Sequence, residues 1–351
     1  MRIERYRLYE KYMLECMGDS AHDAGHVYRV LYSALALSEA EKDVDVDVLI
    51  AAALLHDVGR EAQFRTGENH ALAGARMARA FLIEQGEGTA FADRVADCVR
   101  THRFRSDDPP VSTEAKLIFD ADKLDVSGTI GLARTLLYQG RMRQPIYSVG
   151  PDGEILSGEE KTPSLYSEYR HKLQGIGSRF LTCEGARRAK RWQETADSFF
   201  RALQAEAAAG EAGAAWRLLP RSADARQRRI LNLALMLSEG VDRRIRDQVI
   251  GIAARQEADD SSAGRYIRAA AALDDLGALG VAQRLMKMGA MGKTLDALFD
   301  EAWIRPELPT AQAREIARVR AGTTEAFLNA LRREMDEGRG EGQEILRRIL
   351  E

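Results

Sequence analysis

The sequence has few cysteines and no motif built from them. Its three cysteines, Cys16, Cys98 and Cys183, stand far apart and form no CxxC pair. Neither a disulfide framework nor a thiolate zinc site is therefore predicted. Isolated cysteines of this kind fit a reducing compartment.

An excess of one charge and a long apolar run are also missing. The 351 residues include 51 Lys and Arg against 54 Asp and Glu, a net charge of −3. This balance gives no bulk electrostatic reason to bind nucleic acid or an anionic membrane, although a local basic pocket stays open as an option. No apolar run approaches the roughly 20 residues of a membrane span. The charged opening, residues 1–10, lacks the apolar stretch of a signal peptide, so we expect no membrane partner and a cytoplasmic location.

Helical periodicity dominates the chain and predicts an all-α fold. Apolar residues recur at a spacing of three to four, and the segments break at Gly, Pro or charged loops. The exception lies near residues 144–160, where two short apolar segments flank Asp152-Gly153 and predict a small hairpin or flap. Helices are predicted over residues 3–17, 22–40, 46–57, 69–85, 89–102, 113–124, 130–138, 165–180, 186–206, 223–240, 241–256, 263–276, 281–288, 294–303 and 310–337.

A composition change near residues 205–215 suggests a boundary between two domains. This stretch consists of Ala, Gly and Glu, and we place the boundary near residue 208, which gives domains 1–207 and 208–351. All six histidines lie at or before His171, so the second domain cannot hold a histidine-rich site. Its amphipathic helices suit homo-oligomerisation, partner docking or a cover over the site of the first domain.

The most informative motif is His56-Asp57, which closes the apolar run 49–55 and precedes a glycine. A buried imidazole and carboxylate cost free energy unless something binds them, and a metal ion is the natural partner. A lone histidine is more often satisfied by backbone contacts, but this chain offers an ordered set. Imidazole and carboxylate donors suit a divalent Mn, Fe, Co, Ni, Zn or Mg ion, and the lack of thiolates argues against a purely structural zinc. The further candidate ligands are His26, His70, His102 and Asp122.

The order of these residues resembles the HD-domain superfamily of metal-dependent phosphohydrolases, which is named for the His-Asp pair. The resemblance covers about residues 10–207, and the stretch 164–189 is similar to the end of the stand-alone members. It implies a helical HD-domain bundle. The segments that carry it are HDAGHVYRV (22–30), AALLHDVGR (52–60), ENHALAGARMA (68–78), VRTHR (99–103) and EAKLIFDADKLDVSGTIGLAR (114–134).

The resemblance also implies one or two divalent ions. Asp57, with two oxygens, would bridge a first ion to a second. His70 and His102 fall where two-metal members place extra ligands; alternatively, they line a phosphate pocket beside a single ion. The implied ligands of the first ion are His26, His56, Asp57 and Asp122.

Charged side chains near the motif fit an anionic substrate. Arg29 or Lys123 could hold a phosphate, although adjacency on a helix points Lys123 in a different direction from Asp122. Glu61 could orient the attacking water, as a glutamate does in some single-metal members, or simply be solvated at a helix end. Weaker candidates for holding the phosphate are Arg103, Arg105 and Arg134. Neighbours of the predicted ligands that are not themselves expected to bind the metal are His22, Asp120 and Asp125. Aromatic residues that could contact a nucleotide base are Phe104, Tyr138, Tyr147 and Tyr166.

The site predicts hydrolysis of a phosphate ester or anhydride by attack of metal-bound hydroxide. By resemblance alone, the substrate is a small phosphorylated molecule of the nucleotide class. No glycine-rich phosphate loop and no Ser or Cys nucleophile with a paired base is evident. Two alternatives stay open: a di-iron oxygenase on the same scaffold, and a signalling or binding module with a non-catalytic metal site.

Overall fold

The structure, a computed structural model, describes residues 1–17, 24–103, 108–150, 154–211, 224–255, 261–300, 308 and 310–351. Most of these residues are helical, and their β pairing is limited to one antiparallel bridge between Val149 and Ile155. The all-α prediction is confirmed. The bridge lies where the hairpin was predicted, and the predicted Asp152-Gly153 turn is outside the described residues.

Eight helices precede the bridge within the described residues. Their predicted positions agree with the observed ones, except that a short helix, α4, was not predicted. They are α1 (Ile3–Met17), α2 (Ala24–Ser38), α3 (Val46–Leu55), α4 (Arg60–Thr66), α5 (His70–Glu84), α6 (Thr89–Thr101), α7 (Thr113–Leu124) and α8 (Gly128–Arg141).

The helices after the bridge include one of 29 residues and one of 40 residues. A single helix predicted over 165–180 is instead broken into a first turn, a π turn (Tyr169–Leu173) and a 3-10 turn (Ile176–Arg179). Of the helix predicted over 294–303, the described residues show a 3-10 turn at Asp296–Leu298. The α-helices are α9 (Leu165–Glu168), α10 (Cys183–Glu211), α11 (Ala225–Leu237), α12 (Arg243–Arg255), α13 (Ser262–Asp274), α14 (Gly277–Ala290) and α15 (Ala311–Leu350).

The chain divides into two compact units. The first unit comprises residues 1–132, 173–194 and 331–351, and the second comprises 133–172 and 195–330. The boundary predicted near residue 208 falls in the last turn of α10 and stays a prediction.

Helix α3 forms the centre of the first unit. The Asp45 side chain caps it by accepting hydrogen bonds from the backbone N–H groups of Asp47 and Val48. Every residue of 48–55 is buried, so the helix is apolar on all sides, as expected of a central helix. It packs against α1, α2, α6 and α7. The polar residues that follow it therefore enter the interior of the unit.

A glycine lets α5 approach the end of α3. A Cβ atom at Gly59 would lie 2.2 Å from the carbonyl oxygen of His70 and 2.4 Å from the backbone nitrogen of Gly74. No side chain fits this contact. The glycine after His56-Asp57 thus brings the start of α5, with His70, close to that pair.

The C-terminal part of α15 also belongs to the first unit and lies against α2. A Cβ at Gly342 would lie 2.3 Å from the carbonyl oxygen of Tyr32, and one at Gly338 would lie 2.7 Å from Ser33 Oγ. Glu334 caps α8: its Oε2 accepts hydrogen bonds from Thr129 N and Oγ1, both at 2.7 Å. This segment is therefore integrated into the unit that carries His56-Asp57.

The second unit has its own core, in which α11, α12 and α13 pack an apolar cluster. A buried ion pair joins Arg229 to Asp274 by two hydrogen bonds of 2.8 and 3.0 Å, and Arg229 also donates to Tyr147 Oη. None of the described helices combines the length and the apolar character that a bilayer crossing requires.

Candidate metal centre

Six side chains that the sequence singled out meet in the interior of the first unit. All six lie at or next to the ends of helices. Three follow the C-termini of helices, two of them after α3 and one after α6; one opens α5, one lies in the first turn of α2 and one in the last turn of α7. All are buried; they are His26, His56, Asp57, His70, His102 and Asp122.

Their ligand atoms form two groups of three, each of which could hold a metal ion. In the first group, His26 Nε2 lies 3.3 Å from His56 Nε2 and 3.5 Å from Asp122 Oδ1. Two ligands that are each about 2.1 Å from one ion stand roughly 3.0–3.4 Å apart at octahedral or tetrahedral angles. Within each group all ligand atoms lie within 4.8 Å of one another; the groups are His26, His56 and Asp122, and Asp57, His70 and His102.

Asp57 lies between the two groups. Its Oδ2 is 3.6 Å from His26 Nε2 and 3.8 Å from His56 Nε2. Its Oδ1 is 3.6 Å from His70 Nε2 and 3.7 Å from His102 Nε2. One carboxylate oxygen thus faces each group, which is the placement that a bridging ligand needs.

The four histidines share one orientation, with Nδ1 engaged and Nε2 turned to the centre. In two of them Nδ1 donates to a backbone carbonyl three residues earlier: His56 to Ala53 at 2.8 Å and His102 to Val99 at 2.6 Å. Those carbonyls belong to the last turns of α3 and α6, where no intrahelical donor is left for them. Each imidazole therefore caps its own helix, and this hydrogen bond fixes the tautomer that leaves Nε2 bare.

The other two histidines are held by side chains. His70 Nδ1 lies 2.7 Å from Gln63 Oε1, and His26 Nδ1 lies 2.6 Å from Asp125 Oδ2. A metal-binding histidine is normally held in this way through its second nitrogen. The whole set therefore presents Nε2 lone pairs to a common centre.

Three polar atoms at the centre lack a hydrogen bond from the described part of the protein, which makes them suitable ligands for a metal ion. Among the described residues, Asp57 Oδ2, His70 Nε2 and His102 Nε2 are buried and have no hydrogen-bond partner. Buried polar atoms without partners are rare and costly. A divalent ion in contact with these atoms would remove that cost.

The protonation states also suit metal binding, which requires neutral imidazoles and ionised carboxylates. Burial lowers the pKa of His70 to about 3, assisted by the positive charge of Arg60. Burial likewise lowers the pKa of His102 to about 4. Burial alone would raise the pKa of Asp57 and Asp122, but nearby positive groups hold both below their usual range.

Three basic residues contact the six side chains. Arg60 Nε donates to Asp57 Oδ1 at 2.9 Å, and Lys123 Nζ donates to Asp122 Oδ2 at 2.7 Å. The expectation that Lys123 points away from Asp122 is therefore wrong, because its long side chain folds back along the last turn of α7. Arg103 Nη1 lies 3.2 Å from His70 Nδ1.

Two predicted catalytic residues occupy other places. Arg29 is held by Asp125 through contacts of 2.5 and 3.0 Å, and only 11% of its side chain is exposed. Glu61 is 67% exposed and lies 3.9 Å from Arg65, one turn along α4. Glu61 is thus not part of the buried group, and its role in orienting water stays an untested prediction.

Sequence reasoning missed Arg60 as a neighbour of the centre and gave Asp125 no role. Arg60 follows Asp57 by three residues, and Asp125 follows Asp122 by three. A separation of three residues often brings side chains together, so it could have indicated the contact of Arg60 with Asp57. By contrast, the contacts of Asp125 with His26 and Arg29 join distant parts of the chain. Asp120 acts as a cap: its Oδ2 accepts from the backbone N–H of Thr182 at 2.7 Å, just before α10.

The remaining sequence candidates lie elsewhere or outside the described residues. Of the aromatic candidates, Tyr147 and Tyr166 are buried in the core of the second unit, and Tyr138 is exposed in that unit. Arg134 also belongs to the second unit. His22, Phe104 and Arg105 lie outside the described residues.

Comparison with known proteins agrees with this geometry. The family model described as HD domain matches residues 23–127, which include all six side chains of the centre. YpgQ of Bacillus subtilis (strain 168), described as an uncharacterized protein, is 32% identical over 158 residues, 44% of this chain and 69% of YpgQ. The chain belongs to the HD-domain family.

Solved structures are also similar to this chain. A predicted HD superfamily hydrolase from an uncultured Thermotogales bacterium is 26% identical, with 58% of this chain and 91% of that chain covered and a TM-score of 0.40. The crystal structure of B. subtilis YpgQ in complex with ADP is 22% identical, with 57% and 93% covered and a TM-score of 0.45.

Proposed function

We propose that this protein is a metal-dependent phosphohydrolase that cleaves a phosphate ester or anhydride bond. The observation that carries the proposal is Asp57: its two oxygens face two buried groups of ligand atoms, three of which have no hydrogen-bond partner among the described residues. His26, His56 and Asp122 would hold one ion, His70 and His102 a second, and Asp57 would contact both. Two-ion sites of this kind are typical of enzymes that transfer phosphoryl groups to water.

When bound, divalent ions supply Lewis acidity and lower the pKa of water towards neutrality. The protein contributes position and charge. The hydrogen bonds at Nδ1 hold the imidazoles in place, so that the ligand set is preorganised. Lys123, Arg60 and Arg103 place three cations against this set, where they would neutralise charge on a phosphoryl group.

We infer that the substrate is a nucleotide. The support is the sequence relative YpgQ, 32% identical over 158 residues, whose crystal structure was determined in complex with ADP. The cations around the centre fit the negative charge of such a ligand.

The first test measures metal content and hydrolysis together. The purified chain is analysed for divalent metals, and phosphate or pyrophosphate release is then followed with a panel of nucleotides and added Mn²⁺. We expect one or two ions per chain and metal-dependent release. Two irons, oxygen consumption and no release would instead identify a di-iron oxygenase. A chain without bound metal or turnover would be a binding module.

Asp57→Ala is the sharpest variant for the same proposal. Loss of a residue that only holds a metal ligand in place typically lowers metal affinity or activity by about 10–100-fold. Loss of the shared carboxylate should therefore lower hydrolysis by at least about 100-fold and remove most of the metal. Circular dichroism checks that the helices persist, and Asp93→Ala, at an exposed ion pair with Arg79, is the control. Full activity in Asp57→Ala would disprove the mechanism.

A further inference from the structure

Among the four histidines, His26 has a distinct partner. None of the other three has a carboxylate at Nδ1. His56 and His102 contact the carbonyls of Ala53 and Val99, and His70 contacts the side-chain amide of Gln63 and, at 3.2 Å, Arg103 Nη1. His26 Nδ1 instead lies 2.6 Å from Oδ2 of the Asp125 carboxyl group. A carboxylate partner fixes the tautomer and the ring orientation and makes Nε2 a stronger donor to a metal.

Asp125 is itself held firmly. Arg29 binds both of its oxygens, through Nε to Oδ1 at 2.5 Å and through Nη2 to Oδ2 at 3.0 Å. Only 3% of the Asp125 side chain is exposed. A two-point contact between guanidinium and carboxylate is geometrically specific, and burial strengthens it. Arg29, Asp125 and His26 thus form a chain of contacts that ends at the metal-binding nitrogen.

Helix stability does not explain a carboxylate at this position. Asp125 is the C-cap of α7, where the helix dipole disfavours a negative charge. Its backbone N–H, and not its side chain, closes the helix by donating to the Ala121 carbonyl. The side chain therefore serves the partners across the unit, His26 and Arg29.

We propose that Asp125 is a positioning residue that fixes His26 as a metal ligand, and that Arg29 holds Asp125 rather than the substrate phosphate. This inference rests on the proposed metal centre. In this arrangement Arg29 contacts Asp125, the partner of the ligand His26, and does not contact the substrate. Other cations near the centre would bind the phosphate. Asp125 acts through His26, so its loss should lower the metal affinity while the fold persists.

The experiment measures Mn²⁺ binding to the metal-free full chain by titration calorimetry. We expect Asp125→Asn to weaken Mn²⁺ binding by about 10–100-fold relative to the wild type, because the neutral amide orients His26 less firmly. Asp125→Asn alone leaves the Arg29 guanidinium buried without its counter-charge, which can unfold the unit. The double variant Arg29→Met/Asp125→Asn removes that cation and should show the same loss of affinity in a folded chain.

A matched control distinguishes an effect on the position of His26 from a general loss of stability. Asp120 is a second buried carboxyl group on α7, and it accepts hydrogen bonds from Leu181 and Thr182. Asp120→Asn should lower the melting temperature and leave the Mn²⁺ dissociation constant within about twofold, as expected of a residue without contact to a ligand.

A second readout does not depend on metal. In long-range ¹H–¹⁵N spectra of the metal-free chain, the His26 signals should show the tautomer protonated at Nδ1, and Asp125→Asn should shift them more than those of His56. Unchanged Mn²⁺ affinity in both Asp125 variants would overturn the proposal while leaving the metal centre intact. A wild-type chain that binds no divalent ion would overturn the proposed function as well, so the two failures are distinguishable.

Discussion

Glu61 and Asp57 are four residues apart, yet their side chains have opposite surroundings. Asp57 is buried between two groups of ligand atoms, whereas Glu61 is 67% exposed and lies near Arg65. A residue in solvent at the first turn of α4 has no hydrogen bond through which to orient a water at the centre. We therefore expect Glu61→Gln to change phosphate release by no more than about twofold, the range of an ordinary surface substitution.

Steady-state hydrolysis at saturating Mn²⁺ measures the effect of Glu61→Gln. Arg65→Gln, which removes the partner of Glu61, serves as the matched control and should behave in the same way. General-base catalysis contributes about 10²–10⁴-fold. A loss of that size in Glu61→Gln alone would show that the glutamate turns towards the centre during catalysis.

The ligand residues of the candidate centre could be predicted from sequence because their types and order are informative. Their partners could not. Asp125 contacts His26 across a separation of 99 residues in the chain, and only the folded structure shows that contact. Arg29 and Asp125 also illustrate the difficulty: charged residues near a motif are predicted to face the substrate, although one of them can instead compensate the charge of the other.

At the scale of helices, apolar periodicity located most elements, and the first helix and α7 agree at both ends. The segment 165–180 was the main error. Its apolar residues have helical spacing, but Gly175, a poor helix former, lies between the π turn and the 3-10 turn. Helix α15 extends to Leu350, beyond the predicted end at 337, and continues through Gly338, Gly340 and Gly342.

These glycines have different roles, which leads to a prediction for α15. A methyl group at Gly342 would meet the Tyr32 carbonyl oxygen, at 2.3 Å from Cβ, and would push α15 away from α2. Overpacking of this kind costs about 1–3 kcal/mol. We expect Gly342→Ala to lower the free energy of unfolding by about that amount, measured in urea by circular dichroism.

Gly340, in the same helix, is the matched control. It is exposed, and a Cβ there would meet no atom within 4 Å. Gly340→Ala should be neutral or stabilising by up to about 1 kcal/mol, because alanine favours the helix. Equal stability of the two alanine variants would show that α15 does not pack on α2 as described.

At the scale of the whole molecule, the site-bearing unit is assembled from distant parts of the chain. Residues 331–351 contribute hydrogen bonds that reach back to earlier helices. Trp192 Nε1 donates to Glu337 at 2.9 Å, and Arg188 donates to Glu341 at 3.1 Å. Composition describes residues that are neighbours along the chain. A boundary inferred from composition near residue 208 therefore takes no account of contacts between residues that are far apart in sequence.

These contacts predict the behaviour of shortened chains. Four apolar residues of this segment, Leu331, Met335, Ile345 and Leu346, are buried. Burial of such a side chain stabilises by about 1.5–3 kcal/mol, so their joint loss approaches the total stability of about 5–15 kcal/mol of an ordinary protein. We expect a chain that ends at residue 330, and a fragment of residues 1–207, to lose cooperative unfolding and Mn²⁺ binding.

Thermal unfolding and calorimetric titration with Mn²⁺ test both shortened chains against the full one. A synthetic peptide of residues 331–351, added in excess, should restore part of the Mn²⁺ affinity, because it returns the contacts to Thr129, Arg188 and Trp192. A scrambled peptide of the same composition is the control. If the fragment of residues 1–207 instead unfolds cooperatively and binds Mn²⁺ as the full chain does, the boundary near residue 208 defines an independent domain. In that case residues 331–351 add contacts to a unit whose metal centre forms without them.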